Sequence, residues 1–255
     1  MNKLLALKNI RTKLQKDRYS IGSWIQLESP SSAEIMGNCG YDWVAVDLEH
    51  GSISISQLPN IFRALELRHT LPLARISEGN ENNCKRALDS GAAGVIIPKI
   101  ETKNQLEILI KSCKWPPNGN RGVGFSRANL YGENFSDYKE EAINPLIVAM
   151  IETKIGLINI EEILSVKGLD AILIGPYDLS ASLGFTGEIN NPVVKEAISK
   201  VLNICKKFSI PAGIHIVNPD IHELQNKIDK GYRFLAYSID AVFLNSSSKN
   251  PLPNL

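Results

Sequence analysis

Short apolar segments alternate with longer amphipathic segments along almost the whole chain, and this alternation is the strongest constraint on the fold. Several of the short segments are apolar throughout, among them GVIIP, LIVAMI and AILIG. Such runs are typical of strands in a parallel sheet that is buried on both faces. The predicted strands cover residues 21–27, 43–49, 71–76, 94–100, 146–152, 171–175, 211–216 and 234–240.

The longer segments between these strands are predicted to be helices, and the residues at their ends support the boundaries. Gly91 follows one segment as a helix-terminating glycine. Asn191 and Pro192 form an N-cap followed by a proline at the first helical position. The predicted helices cover residues 31–38, 56–68, 81–90, 102–114, 153–165, 191–208 and 219–230.

Strand and helix alternate about eight times, which predicts an α/β fold of the (β/α)8 barrel type. An open, doubly wound sheet is the alternative, but it is disfavoured because the chain lacks a G-x-G-x-x-G turn. The length of 255 residues suits a single barrel domain over residues 1–255. This domain is expected to carry an N-terminal helix at residues 2–16 and an irregular insertion at residues 115–144.

Charge and composition exclude several classes of partner. Lys and Arg together number 28 and Asp and Glu number 27, which leaves a net charge of +1. The chain as a whole lacks the positive field that draws a protein onto nucleic acid or an acidic membrane. No stretch approaches the ~18 uninterrupted apolar residues of a membrane span. The basic N-terminal segment has no long apolar region, so it is predicted to be a surface helix and not a signal peptide.

The four cysteines indicate a reducing environment. Cys39, Cys84, Cys113 and Cys205 are scattered, and they form neither a C-x-x-C pair nor a zinc-finger spacing with histidine. They are therefore expected to be free thiols, and the cytoplasm is the expected location.

Charged and polar residues collect at the predicted carboxyl ends of the strands, where barrel enzymes carry their active sites. Charged groups are costly inside an apolar barrel, so their collection at one rim indicates a function. The residues concerned are Asp47, Glu49, His50, Arg75, Lys99, Glu101, Glu152, Asp178, His215 and Asp240.

Two of these carboxylates, Glu152 and Asp178, follow neighbouring strands and could converge on a divalent cation. Two carboxylates completed by water and substrate oxygens form a typical Mg²⁺ or Mn²⁺ site. The alternative is that each carboxylate only begins the following helix, where acidic residues are common.

Three further rim residues have both a functional and a structural interpretation. His50 could act as a general base or be satisfied structurally. Arg75 could bind a carboxylate through two hydrogen bonds or form a rim salt bridge. Lys99 could form a Schiff base, although a solvated rim lysine is the favoured interpretation. The histidines without a local signature are interpreted as structural, namely His69, His215 and His222.

Six segments together resemble the HpcH/HpaI aldolase family, the metal-dependent class II pyruvate aldolases. They are YDWVAVDLEHG, LPLARI, KRALDSGAAGVIIPKIET, WPPNGNRGVGFSRA, MIETKIGLINIEEIL and LDAILIGPYDLSASLGFTG. The six segments lie in family order between residues 41 and 187, and the resemblance extends from about residue 22 to 239, which covers most of the chain. The resemblance implies a barrel of the phosphoenolpyruvate/pyruvate-domain type. It also implies an aldehyde-lyase that cleaves or forms 4-hydroxy-2-oxo acids, with a pyruvate enolate and an aldehyde as the two parts.

The family motifs assign roles to individual residues. The E-H-G motif places the catalytic histidine at His50, and the LPLAR strand places the substrate-binding arginine at Arg75. The aspartate before S-G-A is Asp89, which in the family pairs with the histidine. The IET glutamate, Glu152, and the GP-x-D aspartate, Asp178, would be the two protein ligands of Mg²⁺, Mn²⁺ or Co²⁺.

The resemblance also implies how the 2-oxo acid is held. The backbone around Gly175, Tyr177 and Asp178 would bind the carboxylate of the substrate, and Trp24 matches an aromatic residue of the first strand near the pocket. Asp89 ends the third predicted barrel helix and lies near the opposite rim from His50 in such a fold. If the two residues pair, Asp89 is expected to come from a neighbouring chain of a homo-oligomer.

The chain departs from the family pattern in four places. Met150 stands where the family often has Gln, Tyr177 stands where it has a small residue, and Lys99 stands where many relatives are uncharged. These three positions bear on the choice of donor and acceptor. The fourth departure is the short segment after the last strand, which ends SSSKNPLPNL. Many relatives have a longer helix there, and it supports the hexamer of the family.

Two other functions remain open at this point. A citrate-lyase-like or citrate-forming enzyme would use oxaloacetate or an acyl-CoA on the same scaffold. A non-catalytic binding barrel would be indicated by loss of His50, Arg75, Glu152 or Asp178, and the chain retains all four.

Overall fold

The computed structural model describes residues 1–250 and Leu252, and its centre is a closed barrel of eight parallel strands. The strands pair in chain order, and β8 closes the barrel by pairing with β1. Their bounds are β1 Ser20–Ile25, β2 Trp43–Asp47, β3 Leu71–Arg75, β4 Gly94–Ile97, β5 Leu146–Ile151, β6 Ala171–Ile174, β7 Ala212–Ile216 and β8 Phe234–Ile239. The predicted (β/α)8 barrel is confirmed, and the open sheet is wrong.

Helices surround the barrel between successive strands. Their bounds are α1 Lys3–Gln15, α2 Pro30–Gly37, α3 Leu58–Leu67, α4 Glu81–Asp89, α5 Lys103–Cys113, α6 Phe135–Ala142, α7 Lys154–Ile158, α8 Ile160–Leu164, α9 Pro176–Ser182, α10 Pro192–Phe208, α11 Ile221–Lys230 and α12 Asp240–Ser247. Side-chain caps begin several of them, and the cap of α10 is Asn191, as predicted. Asn80 accepts a hydrogen bond from the backbone N–H of Asn83, and Asn191 accepts one from Val193.

The helical prediction differs from the structure in two segments, and it omits two further helices. The helix predicted at 153–165 is two short helices, because the backbone of Asn159, with φ of −91° and ψ of 11°, leaves the helical region between α7 and α8. The insertion at 115–144 is not irregular throughout, since it contains α6 and a 3-10 turn at Arg127–Gly132. Helices α9 and α12 were not predicted, because each begins directly at a strand end without a separate amphipathic segment.

The insertion is fixed to the barrel by polar contacts. Asn129 is fully buried, and its side chain bonds the backbone of Gly124, Ser126 and Gly132. The guanidinium of Arg127 donates two hydrogen bonds to Glu66, at 2.9 and 2.6 Å. The segment thereby packs beside α3 and α4, on the outside of the barrel.

The hydrophobic core has two layers that follow the two-residue periodicity of the strands. One side-chain set packs against the surrounding helices, and the other fills the barrel interior. In the interior, the rings of Trp43 and Phe234 stack with centroids 4.4 Å apart. This packing requires glycine at position 22, because a Cβ atom there would lie 2.1 Å from the Trp43 ring.

Helix α1 closes the amino-terminal end of the barrel. Leu7, Ile10 and Leu14 are buried and belong to the interior cluster. Arg11 fixes the helix by donating to Asp170, with its Nε atom 2.7 Å from Oδ1. The open end of the barrel is therefore the carboxyl-terminal end, as the sequence analysis expects.

Helix length and composition also bear on membranes. Among the described residues, none of the helices has the length and apolar character needed to cross a lipid bilayer.

Candidate active site

A cavity of about 180 Å³ opens at the carboxyl ends of the strands. Alternation along each strand turns every second side chain toward the barrel axis, and the last such residue of several strands reaches this cavity. Its wall consists of Trp24, Gln26, Asp47, His50, Arg75, Met150, Leu173, Ile174, Gly175, Pro176, Tyr177, Asp178, His215, Val217 and Ile239. A larger cavity of about 470 Å³ lies at the amino-terminal end beside α1, where Arg11 and Asp170 already neutralise each other.

Arg75 is held in the cavity by a buried ion pair. Asp47 and Arg75 are register partners on β2 and β3, so their side chains leave the barrel wall side by side. The Nε and Nη2 atoms of Arg75 donate to the two oxygens of Asp47 at 2.8 and 2.5 Å. Gln26 donates to the same carboxylate at 2.7 Å. Burial opposes ionisation of Asp47, but the Arg75 and Gln26 hydrogen bonds outweigh it and lower the pKa of Asp47.

Trp24 lies under this ion pair and orients the guanidinium. The Cζ atom of Arg75 is 4.6 Å from the centroid of the Trp24 ring, which is a cation–π distance. The Nη1 atom of Arg75 approaches Glu49 only to 3.6 Å. The guanidinium is thus fixed through two nitrogens, and its third nitrogen is available to a ligand.

Glu152 is a buried carboxylate with one unpartnered oxygen. It is 1% exposed, and its Oε1 atom accepts a 2.7 Å hydrogen bond from the backbone N–H of Lys99. Its Oε2 atom is buried and has no hydrogen-bond partner in the described part of the chain. Burial, together with the negative charges of Glu49 and Asp178, raises the pKa of Glu152 to about 7, although the Lys99 hydrogen bond and the charge of Arg75 oppose this shift. Helix capping does not explain this residue, because Thr153 caps α7.

Gly175 allows Glu152 and Asp178 to lie close to the same wall. A Cβ atom at position 175 would lie 2.4 Å from Oε2 of Glu152, so only glycine fits there. Asp178 stands in the first turn of α9, which begins directly after Gly175. A helix-start role therefore applies to Asp178 alone, and the negative charge of Asp178 contributes to the raised pKa of Glu152.

His50 lies at the mouth of the cavity. Its side chain is 52% exposed, and its Nε2 atom is 3.8 Å from Oε2 of Glu49. Glu49 also lies 3.7 Å from the ammonium of Lys99, whose side chain is 61% exposed. This exposure fits the solvated rim lysine of the sequence analysis and not the buried lysine that a Schiff base needs. Lys99 has a left-handed backbone with φ of +52°, which turns its N–H toward Glu152.

Asp89 is not near the cavity. It is the last residue of α4, and the chain then runs to the start of β4 at the amino-terminal end of the barrel. Burial raises the pKa of Asp89, and the charges that oppose this come from Arg121 and Lys85. Within one chain, His50, Arg75 and Asp178 line the cavity and Glu152 lies directly behind Gly175 of its wall, but Asp89 is not brought to His50.

The family profile described as HpcH/HpaI aldolase/citrate lyase matches residues 20–246, which include every strand of the barrel. The chain belongs to this family. The resemblance drawn from the motifs is therefore confirmed over nearly the whole barrel.

Similarity to individual relatives supports this family membership. The chain is similar to the hydroxypyruvate/pyruvate aldolase of Roseobacter denitrificans, with 32% identity over 96% of this chain and 95% of the relative. It is also 32% identical to the 5-keto-4-deoxy-D-glucarate aldolase of Escherichia coli, over 98% of this chain and 97% of the relative. A crystal structure of an HpcH/HpaI aldolase/citrate lyase family protein from Burkholderia cenocepacia superposes with a TM-score of 0.87. It is 30% identical and covers 94% of this chain and 96% of that chain.

Gln26 was not predicted as a site residue, and Asp47, Glu49 and His215 were predicted to lie at the rim without an individual role. Asp47, Glu49 and Gln26 contact the assigned groups, and His215 lines the cavity although it was interpreted as structural. Alternation provides the missing signal for two of them. Asp47 lies two residues after interior Ala45, and His215 lies two residues after Gly213, which continues the inward-facing set.

Proposed function

We propose that the protein is a divalent-metal-dependent aldolase that cleaves or forms 4-hydroxy-2-oxo acids, with pyruvate or a close analogue as the donor and an aldehyde as the acceptor. The prediction of a carbon–carbon lyase is confirmed for the enzyme class by aldolase relatives at about 32% identity over nearly the full chain. The unpartnered buried oxygen of Glu152, which lies against Gly175 of the cavity wall, carries the more specific proposal, and the pKa of Glu152 is influenced by the charges of Asp178 and Arg75.

The residues at this wall fit a divalent cation. A buried carboxylate with a raised pKa and a second carboxylate beside it lack positive charge, which a hard cation would supply. Glu152 and Asp178 would hold Mg²⁺, Mn²⁺ or Co²⁺, and the remaining ligands would be water and substrate oxygens. Among the described residues, no group of three or more His, Cys, Asp or Glu side chains has metal-binding geometry. When bound, the cation supplies Lewis-acid stabilisation of negative charge on the 2-oxo acid.

Arg75 would bind the oxygen at which negative charge develops. Its Nη1 atom is the free donor of a guanidinium that Asp47 and Trp24 hold in place. A preorganised cation stabilises an enolate oxygen without reorientation during the reaction. The neighbouring carboxylate of the substrate would be held by the backbone N–H groups of Tyr177 and Asp178 in the first turn of α9.

His50 would exchange a proton with the C4-hydroxyl group. In cleavage, His50 takes this proton and the C3–C4 bond breaks. The electron pair of that bond forms the enolate of the donor, and the aldehyde leaves. The exposed position of His50 at the cavity mouth suits an aldehyde that enters from solvent. In the aldol direction, the same imidazole returns the proton to the new hydroxyl group.

The orientation of His50 would depend on a second copy of this chain. Asp89, its expected partner, lies at the far end of the same barrel, so we propose that the neighbouring copy supplies it. The insertion beside α4 exposes large apolar side chains, with Phe125 at 75% and Tyr131 at 66%. Exposed apolar surface of this kind supports a homo-oligomer, and a hexamer is the assembly that the resemblance implies.

The citrate-related functions are the second candidate, because the family name includes citrate lyase. A cavity of about 180 Å³ suits a small 2-oxo acid and leaves little room for a thioester carrier.

All four cysteines are free thiols, which supports a reducing compartment such as the cytoplasm.

Substrate screening tests the proposal. The purified protein, supplied with Mn²⁺, is incubated with pyruvate and a panel of aldehydes, and with oxaloacetate or acetyl-CoA in parallel, and products are identified by mass spectrometry. We expect 4-hydroxy-2-oxo acids from pyruvate. Citrate formation without any aldol product would replace the aldolase by the citrate-forming function.

A further inference from the structure

His215 faces the interior of the barrel at the active-site cavity. Along β7, Ile214 and Ile216 pack against the outer helices, so the intervening His215 points to the barrel axis. Its ring lies beside Trp24, with centroids 5.5 Å apart. Trp24 also makes the cation–π interaction with the guanidinium of Arg75. The imidazole is therefore part of the same wall that holds the proposed enolate-binding guanidinium.

The backbone of β8 fixes which nitrogen of His215 carries the proton. The Nε2 atom lies 3.2 Å from the carbonyl oxygen of Ser238, and a carbonyl oxygen only accepts hydrogen bonds. Nε2 must therefore donate, and Nδ1 is the unprotonated nitrogen. Ser238 has a left-handed backbone with φ of +56°, and the β1–β8 register shifts beside it. Such strain persists where the surrounding structure requires a particular backbone direction.

The second ring nitrogen is left as an open acceptor. Within residues 1–250 and Leu252, the hydrogen bond of the His215 ring is the one to Ser238, and it uses Nε2 and not Nδ1. Burial, together with the charge of Arg75, lowers the pKa of His215 to about 4, although the Ser238 hydrogen bond and the charge of Asp47 oppose this shift. The ring is therefore neutral at physiological pH, and it presents a lone pair and not a positive charge to the cavity.

We propose that His215 determines donor specificity by accepting, at Nδ1, a hydrogen bond from a hydroxyl group on C3 of the 2-oxo acid. The inference rests on the proposed function, because the donor is the molecule that Arg75 would bind. The donor is the relevant partner since His215 lies in the wall with Trp24 and Arg75, whereas the acceptor aldehyde enters past the exposed His50. The preferred class is thus 3-hydroxy-2-oxo acids, which place a hydroxyl where pyruvate has a methyl hydrogen.

The test compares hydroxypyruvate and pyruvate as donors with D-glyceraldehyde and Mn²⁺. His215→Phe keeps an aromatic ring but removes the acceptor, and His215→Asn keeps an acceptor near the position of Nδ1. We expect the ratio of kcat/KM for hydroxypyruvate over pyruvate to fall by about 10- to 100-fold in His215→Phe. In His215→Asn it should fall less than about tenfold. His222→Phe, on exposed α11, is the matched control and should leave the ratio unchanged.

Calorimetric binding of both donors to the Mn²⁺-loaded protein gives a second measurement that needs no turnover. The preference of the wild type for hydroxypyruvate should be lost in His215→Phe. An equal decrease for both donors would assign His215 a purely structural role and overturn the inference. So would a wild-type protein that does not favour hydroxypyruvate. If neither donor reacts with any aldehyde, the proposed function fails, and the calorimetric preference still decides the role of His215.

Discussion

Replacing Glu152 by glutamine is expected to stabilise the metal-free protein at alkaline pH while it destroys the metal site. Glu152 is almost fully buried, and one of its oxygens lacks a partner in the described part of the molecule. Because its pKa is about 7 instead of 4.5, ionisation at pH 8 costs the folded state about 3 kcal/mol. Glutamine removes this cost and can still accept the Lys99 N–H bond through its amide oxygen.

The amide offsets part of this gain. Its NH₂ group would replace the unpartnered oxygen, and an unsatisfied buried donor costs about 1 kcal/mol or more. We therefore expect Glu152→Gln to gain about 2 kcal/mol at pH 8, which corresponds to about 4–8 °C in Tm for a chain of this size. The gain has a defined pH dependence. The native carboxyl binds its proton more tightly than the unfolded one, so stability of the wild type falls as pH rises from about 4.5 to 7. Near pH 5 the two proteins should have nearly equal Tm values.

Differential scanning calorimetry in EDTA at pH 5 and pH 8 measures this difference. Glu196→Gln, at an exposed position of α10, is the matched control. It should change Tm by the same small amount at pH 5 and at pH 8. Addition of Mn²⁺ at 100 times its Kd should raise wild-type stability by about 2.7 kcal/mol. It should have little effect on Glu152→Gln. A variant that is no more stable than the wild type at pH 8, or equally stabilised at both pH values, would refute the reasoning.

Three further predictions concern the proposed chemistry. EDTA should abolish aldol cleavage, and Mn²⁺, Mg²⁺ or Co²⁺ should restore it; full activity after chelation, with borohydride trapping at Lys99, would indicate a Schiff-base enzyme instead. Arg75→Ala should lower kcat/KM by about 10²-fold or more and also lower Tm, because it leaves Asp47 buried without its counter-ion. The double variant Arg75→Gln/Asp47→Asn should recover Tm without activity, and recovery of both would reduce Arg75 to a structural ion pair. Mixing inactive His50→Ala and Asp89→Ala proteins should restore part of the activity through mixed oligomers, and no recovery despite measured subunit exchange would exclude a shared dyad.

Much of the fold could be predicted because it depends on local patterning. Apolar runs such as LIVAMI indicated buried parallel strands, and helix ends followed from residues such as Asn191 and Pro192. The prediction of one continuous helix at 153–165 was wrong. The helix is interrupted at Asn159, and no proline or glycine at this position signals the interruption. Helix α9 was missed because its seven residues are too few for a periodic pattern.

The candidate site was predictable in its residue types but not in its contacts. The sequence by itself placed His50, Arg75, Glu152 and Asp178 at strand ends, because the alternation of strands and helices assigns those positions to one rim. The pairing of Arg75 with Asp47 depends on the β2–β3 register, which is set by packing between distant segments.

The sequence thus determined that a barrel forms and which chemical groups gather at its open end, because both follow from periodicity along a single segment. Only the tertiary structure decided the charge state of those groups and which of their atoms remain available to a ligand. Glu152 has a raised pKa because the folded barrel buries it beside Asp178 and Glu49. The neutral imidazole of His215 keeps Nδ1 as a hydrogen-bond acceptor because its Nε2 atom donates to a carbonyl oxygen of β8. Burial and hydrogen bonding between separate strands fix these properties, and neither exists until the chain has folded.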